Sequence, residues 1–183
     1  MYVYFLIGIN FCRFKIKRII SKCKININKI QRVALSTKIK ILKNGELNLG
    51  YNTCISENGS VFIGENGSLT IKDRTYFNKG VFISCQNKVT IEKNCLFGPD
   101  VKIIDNNHKF TKGNGVITTE HSFGEIYIGE SSWIGANVVL LKNANIGKKC
   151  VIGAGCVINE NIPDNSIVTL DSKNILIQPI EER

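Results

Sequence analysis

Residues 128–163 read IGESSWIGANVVLLKNANIGKKCVIGAGCVINENIP. An aliphatic residue opens every six-residue unit of this segment, at Ile128, Ile134, Leu140, Ile146, Ile152 and Ile158. An amphipathic helix would instead place apolar residues three and four positions apart, and a half-buried strand would alternate them at every second position. A strict period of six fits neither pattern, so it indicates an architecture built from stacked repeats.

Three such units make one coil of a triangular prism, in which each aliphatic side chain points inward and stacks about 4.8 Å from its counterpart in the next coil. Small residues at the fifth position of the unit leave room beside these aliphatic side chains; they are Ser132, Val138, Ala144, Cys150 and Cys156. The glycines that follow the aliphatic residue are expected at corners that need unusual backbone angles. They are Gly129, Gly135, Gly147 and Gly153.

A looser form of the repeat precedes this segment. Pairs of aliphatic residues separated by one position recur at Leu47/Leu49, Leu69/Ile71, Val89/Ile91 and Ile126/Ile128, at intervals of 22, 20 and 37 residues. The first two intervals predict coils with slightly longer corners, and the third predicts one coil plus a long insertion. Asn-Gly dipeptides at residues 44–45, 58–59 and 66–67 are typical of corners, because both residues tolerate positive φ.

The insertion, residues 105–124, reads DNNHKFTKGNGVITTEHSFG and lacks the six-residue period. A polar loop of this length on a rigid scaffold is more often functional than accidental. It holds both histidines of the chain, His108 and His121. The sequence therefore places the candidate chemistry in this loop.

Composition agrees with one soluble domain: the chain has 183 residues, of which 43% are apolar. Its seven cysteines are odd in number and include no Cys-x-x-Cys pair, and no signal peptide is recognisable. Free thiols in the reducing cytoplasm fit best, and Cys150 and Cys156 are interpreted as packing residues of the repeat.

The positive charge is concentrated in the first 45 residues, which carry eleven basic side chains and no acidic one, against thirteen basic and fifteen acidic ones in the remainder. Apolar residues between Phe11 and Ile30 approach helical spacing, which indicates an amphipathic helix with a cationic face. Such a helix would cap the first coil or contact an anionic membrane, and the two roles can coexist. Nucleic-acid binding is not indicated, since no recognition motif accompanies the charge.

We assign residues 1–43 to this basic cap, residues 44–168 to the β-helix and residues 169–183 to a C-terminal tail. The apolar run from Met1 to Phe11 is too short to cross a bilayer, which needs about 20 residues. We expect a cytoplasmic protein, either free or peripheral on the inner face of the membrane.

The segment from Trp133 to Pro163 closely resembles the C-terminal coils of hexapeptide-repeat sugar O-acetyltransferases, and the resemblance extends from Leu47 to Ser166. It implies an all-β fold, a left-handed parallel β-helix with a short N-terminal helical segment and one protruding loop. It also implies acetyl-CoA as the co-substrate and a homotrimer with active sites between subunits.

Residues 103–108, IIDNNH, resemble the segment that carries the catalytic histidine of this family, which makes His108 the candidate base. A substrate-binding asparagine lies one coil earlier in those enzymes, and Asn78 with Tyr76 matches it in type and spacing. His121 has no such counterpart and is interpreted as a solvated loop residue.

The residues that match coenzyme A contacts of the family are Trp133, Ala136, Gly153 and Ala154. The candidate partners of its phosphates are Lys142, Lys148 and Lys149. Two departures affect the adenine end of this site: residues 169–173 replace a Gly-Asn-Pro-Ala turn, and Glu160 stands where a basic residue is common.

A sugar hydroxyl is too weakly acidic to attack a thioester unaided, and an imidazole, whose usual pKa is about 6.5, can take its proton as the bond forms. We therefore expect O-acetylation of a sugar or lipid-linked saccharide of a surface polysaccharide. N-acetylation of an amino sugar and a non-catalytic scaffold remain alternatives. A γ-type carbonic anhydrase is excluded, because two histidines cannot supply a three-histidine zinc site, and no metal is expected.

Overall fold

The computed structural model describes residues 2–20, 23–113, 115–170 and 175–179. One helix, α1 (Tyr2–Ile20), precedes a solenoid of short strands. The first four coils are β1 (Lys24–Ile27), β2 (Gln31–Val33) and β3 (Lys38–Ile41); β4 (Glu46–Leu49), β5 (Thr53–Ile55) and β6 (Ser60–Ile63); β7 (Ser68–Ile71), β8 (Tyr76–Phe77) and β9 (Phe82–Cys85); and β10 (Lys88–Ile91), β11 (Leu96–Phe97) and β12 (Lys102–Ile104).

An inserted hairpin, β13 (Asn106–Thr111) and β14 (Gly115–Phe123), separates these coils from the next two. The later strands are β15 (Glu125–Ile128), β16 (Trp133–Ile134) and β17 (Val139–Leu141); β18 (Asn145–Ile146), β19 (Val151–Ile152) and β20 (Val157–Ile158); and β21 (Asn161–Ile162), β22 (Ser166–Leu170) and β23 (Ile175–Pro179).

Three sheets form the walls of the prism. Sheet A stacks β1, β4, β7, β10, β15, β18 and β21; sheet B stacks β2, β5, β8, β11, β16, β19 and β22; and sheet C stacks β3, β6, β9, β12, β17 and β20. Neighbouring strands within each of these stacks are parallel, and β23 adds to β22 in the antiparallel direction. The predicted parallel β-helix is therefore confirmed.

The interior is filled by the aliphatic residues that the period of six singles out. Ile128, Ile134 and Leu140 are fully buried, one in each wall of the same coil. The paired aliphatic positions align in register along sheet A, where Val89 lies between Leu69 and Ile126. Phe77 and Phe97 stack within sheet B with their ring centroids 4.3 Å apart. Burial of these columns supplies the main stabilisation of the fold.

The glycines of the repeat serve a purpose different from the predicted one. Gly129, Gly135, Gly147 and Gly153 do not adopt positive φ, which is found instead mainly at corner asparagines with φ between 55° and 73°. A Cβ atom on Gly135 would lie 2.7 Å from the backbone nitrogen of Ala154 in the next coil. At Gly129, Gly135 and Gly147 an added Cβ would lie within 2.7 Å of backbone atoms of the next coil, and at Gly153 it would lie 3.0 Å from the carbonyl oxygen of Val168. Close approach of successive coils therefore disfavours a side chain at these positions.

The β-helix begins earlier than the sequence predicted, at Lys24 rather than at residue 44. Helix α1 ends at Ile20, whereas the helical spacing was expected to reach Ile30. Ile25 and Ile27 belong to β1 and pair with Leu47 and Leu49 of β4, one coil of 22 residues later. They alternate with outward residues at a period of two, which is a strand pattern. The C-terminal tail likewise contains strand β23.

Helix α1 covers the open end of the first coil. Phe14 is buried in the core, and Asn10 donates a hydrogen bond from Nδ2 to the carbonyl of Val33 at 2.8 Å. The guanidinium of Arg13 donates to the carbonyl of Thr37 at 2.6 Å. These side chains donate hydrogen bonds to carbonyl groups of the first coil, which has no preceding coil to supply a partner. The helix therefore performs the predicted capping role.

Candidate active site

The insertion at residues 105–124 forms an antiparallel hairpin rather than an irregular loop. It leaves the prism at the corner between sheets C and A, which we call edge CA and which also carries residues 86–87 and 142–144. The register of β13 against β14 pairs Asn106 with Phe123 and His108 with His121, and it shifts after His108. Strand pairing therefore fixes which side chains face one another on this projection.

Asp105 anchors the base of the hairpin. Its carboxylate is fully buried and accepts hydrogen bonds from the backbone N–H groups of Gln86 and Asn87, each at 2.8 Å. Its carbonyl accepts a hydrogen bond from the N–H of Gly124 at 2.8 Å, which joins the two ends of the hairpin. Hydrogen bonds between a charged carboxylate and backbone N–H groups are among the stronger ones, so the hairpin is held firmly on the coil below it.

His108 is exposed on this hairpin and borders a cleft of about 430 Å³. Its imidazole lies against that of His121, with ring centroids 4.3 Å apart. Lys109 and Glu120 form an ion pair of 3.0 Å beside the cleft. The imidazole of His108 is therefore accessible to a substrate from solvent, and the ring of His121 limits its orientation.

His121 was interpreted from the sequence as a solvated residue, and the structure places it in contact with His108 instead. The two histidines are thirteen positions apart in the sequence, and the register of the hairpin brings them together. Sequence spacing alone gave no signal for this contact, because the register depends on the geometry of the turn.

Tyr76 and Asn78, the predicted acceptor-binding residues, lie on a different part of the prism. Tyr76 is on the outer face of sheet B, where its hydroxyl accepts a hydrogen bond from the Oγ of Ser56 at 3.3 Å. Asn78 lies at the corner between sheets B and C, and its side-chain oxygen accepts a hydrogen bond from the N–H of Lys79 at 2.8 Å. The width of sheet C separates this corner from His108, so one chain does not bring Asn78 and His108 together.

We call this corner edge BC; it carries residues 78–81, 98–101, 135–138 and 153–156. Three predicted coenzyme A positions, Ala136, Gly153 and Ala154, lie along it in successive coils. The N–H of Gly155 donates to the carbonyl of Ala136 at 2.8 Å, which locks the two coils together at this edge. The fourth position, Trp133, is half exposed on the outer face of sheet B. The structure thus places three of the four positions on the same edge as Asn78 and the fourth on the wall next to it.

The three candidate lysines are not gathered with them. Lys142 lies on edge CA, and its Nζ donates to the Oγ of Ser122 on the hairpin at 3.0 Å. Lys148 and Lys149 lie between β18 and β19, at the corner of sheets A and B. Lys142 is therefore part of the His108 cleft, and no shared phosphate site of the three lysines forms within one chain.

The outer faces of the walls differ in character. Sheet A carries polar ladders, in which Asn26 donates to Asn48 and Asn145 donates to Asn161 at 2.9 and 2.8 Å. Sheets B and C instead expose large apolar side chains, which include Leu96, Trp133, Phe82 and Val157. The two apolar walls flank edge BC, so this side of the prism has the composition of an interface.

The buried thiols have the character of packing groups. Burial raises the pKa of the Cys95 thiol to about 11, and its Sγ donates a hydrogen bond to the carbonyl of Gly129 at 3.2 Å. Burial, and to a smaller degree the carboxylate of Asp105, raises the pKa of the Cys85 thiol. Thiols that stay protonated are poor nucleophiles. Within the described ranges, no three His, Cys, Asp or Glu side chains are grouped to hold a metal ion.

Comparisons with known proteins agree on the repeat and the fold. Residues 125–160 match the family described as bacterial transferase hexapeptide (six repeats). The chain is 30% identical over 92 residues to the galactoside O-acetyltransferase of Lactococcus lactis, covering 50% of this chain and 44% of that protein. It is 28% identical over 110 residues to a putative lipopolysaccharide biosynthesis O-acetyl transferase of Escherichia coli, covering 56% of each.

The chain thus spans about half the length of the curated relatives it matches. Among solved structures, a hexapeptide-repeat acetyltransferase of Vibrio cholerae complexed with acetyl-CoA superposes with a TM-score of 0.59 at 24% identity, covering 74% of this chain and 72% of that one. This likeness extends over most of the solenoid and supports the fold.

Proposed function

Because residues 125–160 match the hexapeptide transferase family and the solenoid resembles that of a hexapeptide-repeat acetyltransferase, we propose that the chain transfers an acetyl group from acetyl-CoA to a sugar hydroxyl. The observation that carries this proposal is His108, which the hairpin presents to an open cleft at a position fixed by the buried Asp105. The names of the relatives, a galactoside and a lipopolysaccharide O-acetyltransferase, favour a sugar as the acceptor.

In this mechanism, the imidazole of His108 takes the proton of the acceptor hydroxyl while its oxygen attacks the thioester carbonyl. The carbonyl oxygen becomes negatively charged in the tetrahedral intermediate, and backbone N–H groups of the coils can stabilise it. The attack forms the new C–O bond, and collapse of the intermediate restores the carbonyl double bond and breaks the C–S bond. The proton then passes from His108 to the sulfur of the departing coenzyme A, so no acyl-enzyme and no metal take part.

The complete site requires a second copy of the chain. Edge BC carries Asn78 together with Ala136, Gly153 and Ala154, whereas the hairpin with His108 leaves edge CA, on the other side of sheet C. We therefore propose a homotrimer in which edge BC of one copy meets the hairpin of its neighbour. A heterologous contact that closes after three copies gives three equivalent sites. The apolar outer faces of sheets B and C are suited to this contact.

The acceptor that we propose is a sugar or lipid-linked saccharide destined for a surface polysaccharide, acetylated in the cytoplasm. The support for this is the lipopolysaccharide O-acetyltransferase among the relatives, together with the free thiols of the chain.

Release of coenzyme A from acetyl-CoA, measured against a panel of hydroxyl sugars and amino sugars, tests the reaction. We expect turnover with at least one hydroxyl sugar and loss of that turnover in the His108→Ala variant. Turnover that depends on an amino sugar alone would assign N-acetylation in place of O-acetylation. If no acceptor supports turnover although acetyl-CoA binds, the enzymatic proposal fails.

A further inference from the structure

Helix α1 is apolar on two opposite faces, and the β-helix covers only one of them. The covered face carries Leu6, Asn10 and Phe14, which are buried against the first coil. The opposite face carries five residues at spacings of four, three, four and three positions: Phe5, Ile9, Cys12, Ile16 and Ile19. Ile9 is half-buried and the other four are exposed. The spacing places them along a single stripe, the outer stripe, on the side of the helix away from the core.

The outer stripe is too apolar for a surface that faces water permanently. Ile19 is 76% exposed, and Tyr4 and Ile20 beside the stripe are also exposed. Single exposed apolar residues are ordinary, but a contiguous patch on one helix marks a contact surface. A helix that is apolar on both sides is normally buried on both sides. No side chain in the described part of the chain covers this one.

The charges around the outer stripe indicate the chemistry of its partner. Lys15 and Arg18 are exposed on α1, and Lys24 and Lys29 are exposed on the adjoining part of the first coil. The first 45 residues contain no acidic side chain that would neutralise them. Two copies of this helix would bring like charges together, which disfavours self-association through this face. An anionic surface with an apolar interior complements both the charge and the stripe.

From these observations we propose that α1 binds in the plane of an anionic phospholipid surface. The outer stripe enters the boundary between headgroups and acyl chains, to a depth of about 5–10 Å, and the basic side chains contact the lipid phosphates. The opposite face stays on the first coil, so capping and lipid binding use different sides of one helix. Among the described residues, no helix is both long and apolar enough to cross a bilayer. This inference is independent of the acetyl transfer proposed above.

Co-sedimentation of the full chain with vesicles tests the proposal. We expect binding to mixed phosphatidylcholine–phosphatidylglycerol vesicles, weak binding to phosphatidylcholine alone, and a decline as salt rises, because salt screens exposed charges. The double variant Lys15→Gln/Arg18→Gln should bind about twenty-five-fold more weakly, since each basic residue near an anionic surface contributes about a fivefold gain. Equal binding to neutral and anionic vesicles would overturn the assignment of an anionic surface.

The apolar contribution is tested by Ile16→Ser/Ile19→Ser, which leaves the net charge unchanged. This variant should lose vesicle binding and keep the wild-type melting temperature, because neither side chain packs on the coil. Leu170→Ser is the matched control: Leu170 is 54% exposed, nearly the same as Ile16 at 55%, but it lies at the opposite end of the prism. Leu170→Ser should bind vesicles as the wild type does.

Retention of vesicle binding by Ile16→Ser/Ile19→Ser would overturn the proposal and leave only a general attraction to polyanions. A third outcome concerns self-association. If the wild type fails to bind vesicles and light scattering shows an assembly that Ile16→Ser/Ile19→Ser reduces in mass, then the outer stripe joins copies of this chain and the lipid assignment is wrong.

Discussion

His108 and His121 face each other on the hairpin, and their separate replacement distinguishes the base from its neighbour. His108→Ala should lower kcat by at least about a hundredfold, which is the lower end of the usual contribution of a general base. The melting temperature and the affinity for acetyl-CoA should stay near wild type, because His108 is exposed and lies outside the core.

His121→Ala should reduce kcat less than His108→Ala, because it removes a ring contact and leaves the base in place. The sequence indicated a solvated loop residue, whose replacement would leave kcat unchanged, and the ring contact changes that expectation. Lys112→Ala, at the exposed tip of the hairpin, is the control for general disturbance and should be neutral. Equal losses of kcat in His108→Ala and His121→Ala would mean that activity depends on the hairpin as a whole and not on His108 as the base.

The buried thiols predict a loss of stability at high pH. Burial raises the pKa of the Cys95 thiol from 9.0 to about 11, so the folded protein keeps a proton that the unfolded chain releases. The stabilisation is complete below pH 9 and is lost as pH rises through 11, at a cost on the order of 2 kcal/mol. Cys95→Ala should flatten the fall of melting temperature over this range, and Cys12→Ala, at an exposed thiol, should leave it unchanged.

At the scale of the coil, close approach of neighbouring backbones sets the tolerance for substitution. Gly135→Ala would put a Cβ 2.7 Å from the nitrogen of Ala154 and 2.8 Å from the carbonyl oxygen of Ile152. Both are backbone atoms held in the ladder, so we expect a loss of about 1–3 kcal/mol in the free energy of unfolding. Gly113→Ala, in the hairpin turn with no atom within 4 Å of the added Cβ, should change it by less than about 0.5 kcal/mol. Urea titration measures both, and equal costs would contradict the packing argument.

The sequence predicted the elements best where a single period governs them. The aliphatic positions of residues 128–163 are buried in the walls, and so are the small residues at the fifth position of each unit, because burial of the same two positions in every six generates the period. The pair Ile25/Ile27 repeats the same signal 22 residues before Leu47/Leu49, yet the helical spacing that precedes it obscured the start of the first coil. Isoleucine and lysine are compatible with helices and strands alike, so composition could not place this boundary.

The candidate site was harder to predict, because it depends on distances between coils and strands. The family resemblance selected His108 and Asn78, but it could not show that they lie on different edges of one chain. The contact of His121 with His108 follows from a register shift in the hairpin, and the anchoring role of Asp105 follows from two backbone N–H groups one coil earlier. No spacing in the sequence carries either relation.

At the scale of the whole molecule, the separation of edge BC, with Asn78, from edge CA, with the His108 hairpin, predicts active sites that are shared between copies of the chain. Leu96→Glu, on the apolar outer face of sheet B, should yield monomers that lack activity, because a buried charge without a partner opposes association. Asn145→Glu, on the polar face of sheet A, is the matched control and should leave the trimer intact. Light scattering at micromolar concentration and coenzyme A release measure the two effects. A wild type that is monomeric and active would refute the shared site.

Complementation tests the sharing directly. The variants His108→Ala and Asn78→Ala are each expected to be impaired, but co-expression should restore activity at interfaces where an intact hairpin meets an intact edge BC. Random mixing makes about a quarter of the interfaces complete. Activity no higher than that of the better single variant would place both residues in a site of one chain.

A stack of parallel strands is also a template, since each coil presents the hydrogen-bonding groups on which another strand could grow. At one end of sheet B, Asn10 of α1 donates to the carbonyl of Val33 in β2, and at the other end β23 pairs with β22 in the antiparallel direction. The parallel stack of sheet B is therefore bounded at both ends by segments of its own chain. A molecule built on the spacing of a cross-β fibril thereby limits the addition of further parallel strands along this sheet.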